Sequence, residues 1–383
     1  MADAIARGSR LLAGAGLAAA LAGLAAPGLA VAASVHGGGV GSCEYCHVMH
    51  GAADRQVAFD GSHPLLLAAT STDLCLTCHG EKDVFGASPL APPREAGAGN
   101  FVWLLEDNLN DDEAGILDRI RGEAAGHSIV SPARGTSADT RWSRAPGGTF
   151  PASALGCTSC HDAHGNGNYR LLHGAGPVQD GITTFLYPAP RAAGLDLADR
   201  GARESGKLHA AYLSGVTDWC ANCHGTYHAE GSNAAFRHPV DVALDRDVVE
   251  RYRQYAGDAD PAGGSGDAAY LAEVPFESPN LTTTSTTGPQ IGDRLNCLTC
   301  HRAHASSAPA SGRWDFHVAR LAEDGLASGS YPLPSPYADP KQGSLCRKCH
   351  DVQHDEGRAC LGCHGEPAVL RAHDSPRQPT ASH

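Results

Sequence analysis

Fourteen cysteines occur in this chain, and every one belongs to a C-x-x-C-H unit. The seven units are Cys43/Cys46/His47, Cys75/Cys78/His79, Cys157/Cys160/His161, Cys220/Cys223/His224, Cys297/Cys300/His301, Cys346/Cys349/His350 and Cys360/Cys363/His364. Two thiols three positions apart on a helical turn meet the two vinyl groups on one porphyrin edge, and the histidine that follows then lies under the iron. Disulfides or zinc sites also use paired cysteines, but neither requires a histidine directly after each second cysteine. The pattern implies seven covalently attached haem c groups, with those seven histidines as proximal ligands. This constrains the fold. Aromatic residues make up only 6% of the 383 residues, against 46 Gly and 24 Pro, a composition that favours turns and loops over a large side-chain core. Large apolar rings, one for about fifty residues, are expected to supply the interior instead. The expected fold is mostly coil with a few short helices, organised around a chain of stacked haems. His350 and Cys360 are so close in sequence that the last two rings are expected to be neighbours.

The sixth position of each iron sets potential and reactivity. Beyond the first residue the only methionine is Met49, whereas fourteen histidines remain after the proximal seven. Bis-histidine ligation throughout is the economical reading. It implies low potentials and no iron open to a substrate. Five histidines, His50, His164, His228, His304 and His354, follow a motif histidine by three or four residues. Each begins on the same face of the porphyrin as its own proximal histidine and cannot swing to the other face, so it can reach only a different iron. Such pairs would tie haems into a string. His36, His127 and His238 are further candidates for distal ligands, and His63 stands between ligand and surface residue. His173, His209, His317 and His373 read as surface or supporting residues, and His383 as a terminal residue without a role.

Residues 1–33 read as a secretory signal peptide: Arg7 and Arg10, an apolar run from Leu11, then small residues with cleavage after Ala32 or Ala33. That leaves a single haem-organised domain over 34–383, carrying about −14 of formal charge once the leader's net +1 is removed from −13. An acidic secreted chain is a poor partner for nucleic acid or an anionic lipid surface, and no later stretch is long and apolar enough to span a bilayer. The periodicity predicts helices over 243–256, 112–121 and 195–213, and loops over 257–268, 278–290 and 330–340.

The words VHGGGVGSCEYCHVMHG, GHSIV, APGGTFPASALGCTSCHDAHG, DWCANCHGTYH, FRHPV, NCLTCHRAHAS and LCRKCH, in this order over 36–350, resemble the OmcS-like multihaem c-type cytochromes of extracellular filaments, or nanowires. The resemblance implies bis-histidine haems in alternating stacked and perpendicular pairs, mostly coil structure and end-to-end homopolymerisation. It implies that His50 ligates a haem of the neighbouring subunit, one late in that chain, the fifth (His301). The chain departs from the hexahaem pattern after His350. Residues 351–383 add Cys360, Cys363 and His364, with His354 and His373, and a seventh haem there could extend the wire, branch from it or alter the subunit junction. Three functions compete. The first is a secreted electron-transfer polymer passing electrons to or from other redox proteins or extracellular acceptors. The second is a monomeric periplasmic or surface shuttle. The third is an enzyme, reducing nitrite or oxidising hydroxylamine, which would need an open iron; with every motif ending in histidine and histidines in surplus, the expectation is an electron-transfer protein and not an enzyme.

Overall fold

The computed structural model describes residues 43–47, 66–86, 97–105, 109–113, 116–120, 122–178, 181–195, 204–228, 240–316, 318–323, 335–337, 339 and 341–350. Regular structure is sparse and much of it carries a haem motif. Helix α1 (Ser71–His79) starts where Thr70 accepts a hydrogen bond from Asp73 N at 2.9 Å, a side-chain cap for an otherwise orphaned donor. α2 (Val216–His228) holds the fourth motif and leaves helical geometry at His224 (φ −117°, ψ 41°). α3 (Arg246–Gln254) is capped by Asp245, whose carboxylate accepts from Val248 N at 2.9 Å. α4 (Cys297–Cys300) is the fifth motif itself, capped by Asn296. Single 3-10 turns carry Cys43–Tyr45, Cys157–Ser159 and Leu345–Lys348.

The described strands form three antiparallel hairpins: β1 (Leu109–Glu113) with β2 (Ile116–Ile120), β3 (Gly176–Val178) with β4 (Thr183–Phe185), and β5 (Arg191–Ala193) with β6 (Ala211–Ser214). Two of these correct the helix expectations. The described residues of 112–121 are strand, not helix: Asp111 stands opposite Asp118 and Glu113 opposite Ile116. The glycine at position 115 punctuates the segment, and the isoleucines beyond it favour extended backbone. Within 195–213, residues 204–210 make a turn closed by Ser205 and Leu208, and Ala211 onward pairs with β5. The expected helix over 243–256 does form as α3, with Leu244, Tyr252 and Tyr255 buried, although Val249 rather than Val248 turns inward. Residues 278–290 are turns and coil, as expected.

The sparse aromatics are concentrated rather than spread. One cluster joins Leu76, Phe85, Phe101, Trp103 and Ile129; another joins Tyr252, Tyr270, Phe276, Trp314, Leu321 and Leu345. These are local clusters in a chain that is mostly coil with a few short helices and little sheet, as expected. Among the described residues, no helix is long and apolar enough to cross a membrane.

Candidate haem-attachment sites

In all six described motifs a helical turn presents the cysteine pair. The backbone amides of His47, His161, His301 and His350 donate to the carbonyls of Cys43, Cys157, Cys297 and Cys346 at 2.8, 2.9, 3.1 and 3.0 Å. The other two motifs sit inside α1 and α2. One turn of this geometry puts side chains at i and i+3 on one face, as attachment along one porphyrin edge needs. The twelve described cysteines are all free thiols. Among the described residues no group of three or more His, Cys, Asp or Glu converges on a metal-sized site. The donor set fits haem attachment. The seventh motif lies outside the described residues.

Successive motifs lie close to one another in chain order. Burial raises Cys46, and Cys75 and Cys78 of the second motif add to it. Cys157 of the third motif is raised by its hydrogen bond with Cys75 and by burial. Cys160 is pushed up to about 12 by burial, with Cys223 of the fourth motif contributing. Cys220 is raised by its hydrogen bond with Cys297 of the fifth, and burial together with nearby Cys300 takes Cys349 of the sixth to about 12. Thiols held protonated in this way are poor nucleophiles; once thioether-bound they would not titrate at all. Flanking groups reinforce the row: Ser71 Oγ and Thr158 Oγ1 lie 3.1 Å apart, joining the second and third motifs.

Imidazoles face one another across these sites. The ring centroids of His47 and His164 are 6.4 Å apart, of His127 and His224 6.0 Å, and of His161 and His304 6.5 Å. These rings are too far apart to touch face to face. Two imidazoles sharing one iron, at about 2 Å per metal–nitrogen bond, would stand roughly 6 Å apart by centroid. Each pair combines one motif histidine with one candidate distal ligand. The interplanar angles of 5°, 52° and 65° differ, as rotation about separate metal–nitrogen axes permits. Nδ1 of His127, His161, His224 and His301 donates to the carbonyls of Ala303, Arg170, Pro146 and Ala310 at 2.8, 2.8, 2.7 and 2.9 Å. A carbonyl can only accept, so Nδ1 carries the proton and Nε2 keeps its lone pair for a metal. Burial pulls His224 down to about 4, with His127 adding to it, and pulls His304 down to about 3. The rings are therefore neutral, the state that ligation requires. All five of these histidines still keep some exposed surface, as the walls of slots would.

His173 and His209 are otherwise engaged. His173 Nε2 is bound to Thr158 O at 2.9 Å. His209 is fully buried, with Nε2 on Ser285 O at 2.9 Å and its ring 3.8 Å from that of Tyr270, so the surface reading of it is corrected. His36, His50, His63, His238, His317, His354, His364, His373 and His383 lie outside the described residues, as does the side chain of His228. Sequence reasoning missed the carbonyls that hold Nδ1. Those of Arg170 and Ala310 sit nine residues after His161 and His301, in a shared frame: Asp162 N donates to Leu171 O as Arg302 N does to Ser311 O, and all four acceptor residues have φ between 53° and 56°. Carbonyls have no side-chain signature, and no glycine marks these left-handed positions.

Residues 36–84 match the family model described as a doubled CXXCH motif. The chain is 28% identical over 407 aligned positions to the C-type cytochrome OmcS of Geobacter sulfurreducens, covering 82% of this chain and 93% of OmcS. The solved outer membrane cytochrome S filament from the same organism superposes with a TM-score of 0.64 at 26% identity, over 82% of this chain and 99% of that one. OmcS nanowires solved by cryo-EM give a TM-score of 0.62 at 24% identity, which bears on the fold alone.

Proposed function

We propose that this homologue of OmcS, a multihaem c-type electron-transfer protein and not an enzyme, carries electrons along seven bis-histidine haem c groups and polymerises outside the cell into filaments. Haem bound at these motifs supplies reversible one-electron exchange. The chain's own part is to hold successive sites in contact, keep the ligating imidazoles neutral and leave no iron open.

One observation carries the reading: the distal histidines reach back by a fixed step. His164, three residues after the third motif histidine, faces His47 of the first site, and His304, three residues after the fifth, faces His161 of the third. The first, third and fifth motifs share the spacing C-x-x-C-H-x-x-H. His50 completes that set, but within one chain no site lies two steps behind the first. As the family resemblance implies, it would ligate the fifth site, His301, of the neighbouring subunit, and the row would continue from copy to copy. His127 serves the fourth site. His36, His228, His238 and His354 then remain for His79, His350 and His364, which makes a seventh haem at Cys360 and Cys363 consistent with the histidine supply. Residues 1–33 would direct export.

Electron microscopy of the purified mature protein over a concentration series tests this: filaments are expected, and monodisperse particles at every concentration would refute polymerisation in favour of a monomeric shuttle. Mass spectrometry should find seven haem adducts per chain. Exchanging His50 for Ala should abolish filaments while every other iron stays low-spin.

A further inference from the structure

The backbone of residues 303–306 is clamped between two others. On one side His304 N donates to Ala98 O at 2.7 Å and Asn100 N to Ala305 O at 2.8 Å; on the other His127 N donates to His304 O at 2.9 Å and Ser306 N to Ala125 O at 3.0 Å. The ring of His127 is tied to the same segment through Nδ1 and Ala303 O at 2.8 Å. These two histidines face different sites, His304 the third (His161) and His127 the fourth (His224). Glycines make the approach possible. A Cβ on Gly126 would collide with His304 O and Ala305 Cα, and one on Gly99 with Ala305 O. Gly99 also needs its left-handed φ of +87°, whereas Gly126 lies outside that region, so close approach is its whole requirement.

We propose that Gly126 and Gly99 are positioning residues that couple the ligation of two neighbouring irons: the clamp delivers the sixth ligands of the third and fourth sites as one rigid piece, so both are held or both released together. Backbone hydrogen bonds on both sides of a segment leave it little freedom to shift one ring and not the other. The inference rests on the ligand pairing proposed above.

Low-spin and high-spin ferric irons are counted by EPR in the haem-loaded protein. His127→Ala and His304→Ala should each convert one iron per chain to high spin, with recovery on adding imidazole. Gly126→Val should convert two at once, twice the signal of either histidine variant, and Gly99→Ala should do the same. Gly292→Ala is the control, since that residue has φ +94° but nothing within 4 Å of an added Cβ; it should convert none. If the histidine variants convert no iron, the ligand pairing is wrong. If they convert one each while both glycine variants convert one or none, the coupling is wrong. The unaltered protein supplies a second test that does not depend on the variants folding: an added competing ligand such as cyanide should capture two irons with one shared rate constant, and two unrelated rate constants would overturn the proposal.

Discussion

Around Phe101 and Trp103 the chain holds histidines by backbone: carbonyls grip Nδ1 and strand-like contacts set the spacing of His127 and His304. Around Tyr252 and Trp314 it uses side chains. There Trp314 Nε1 donates to Ser344 Oγ at 3.0 Å, which lies 3.3 Å from Cys346 Sγ of the sixth motif, and Lys348 Nζ donates to Tyr255 O at 3.0 Å from above the Tyr252 ring. Between the two, Glu204 sits 3.3 Å from Arg302 and 3.6 Å from Arg313, all largely buried. Sites whose ligands converge are shaped by main chain; the sixth motif, at the far end of the described row, rests on a conventional core.

The largest expected effect separates the two regions. Trp314→Ala removes a side chain only 2% exposed and should cost about 3–5 kcal/mol. Hydrogen exchange should show protection lost over 252–281, 313–316, 318–323 and 341–345 while amides at 125–127 keep theirs. Equal loss in both would mean one cooperative unit and break the comparison. Next comes Asn100→Ala in the first region. Asn100 is buried and its Oδ1 accepts from Gly86 N at 2.8 Å and Val102 N at 2.9 Å. Leaving those donors unpaired should cost about 1–3 kcal/mol, read as a lower denaturation midpoint with the Tyr252 region unchanged in exchange.

The same contrast explains what could be read from sequence. The motifs and the idea that a following histidine serves another site follow from covalent geometry over three or four residues, and the rings of His164 and His304 lie 6.4 and 6.5 Å from those of His47 and His161. The slots themselves were not legible. Ala303, Pro146 and Ala310 act through carbonyls that every residue has. The segment 112–121 carries the signal of a helix because a short apolar-polar segment satisfies both periods, whereas Leu109–Glu113 pairs with Ile116–Ile120. The local aromatic cluster is not legible in composition, which averages over position: Tyr252, Tyr270, Phe276 and Trp314 meet only through folding.

Acid should move the two regions in opposite directions. His224 at about 4 and His304 at about 3, both lowered chiefly by burial, bind fewer protons folded than unfolded. Their contribution is complete above the ordinary imidazole value near 6.5 and is lost as pH falls toward those values; iron ligation, which needs neutral imidazole, has the same sign. In the second region burial raises Glu273, Glu277 and Asp293. These bind more protons folded, so their contribution is complete below the ordinary carboxylate values and is lost as pH rises through the raised ones. Between pH 7 and 5, exchange protection corrected for intrinsic rate should fall at 125–127 and 304–306 and rise at 272–278 and 293. A shift of one sign throughout would contradict the assignment of neutral imidazoles on one side and buried acids on the other.

The smallest effect concerns the frame shared by the third and fifth motifs. Ala310 holds φ 54°, ψ 31° so that its carbonyl meets His301 Nδ1 at 2.9 Å. Left-handed backbone costs a non-glycine residue about 1–2 kcal/mol, and glycine removes that cost while losing about 0.5–1 kcal/mol through the freer unfolded chain. Ala310→Gly should therefore leave stability unchanged or raise it by at most about 1.5 kcal/mol, with the Nδ1 proton resonance of His301 in place. Ala124→Gly, in the buried 3-10 turn Gly122–Ala125 of the first region, relieves no such strain and should lower stability by about 1 kcal/mol. Opposite signs in paired denaturant titrations would locate the strain in the loop that orients His301. Equal losses would show that the left-handed pair costs the chain nothing, and the recurrence at Arg170 and Leu171 would need another cause.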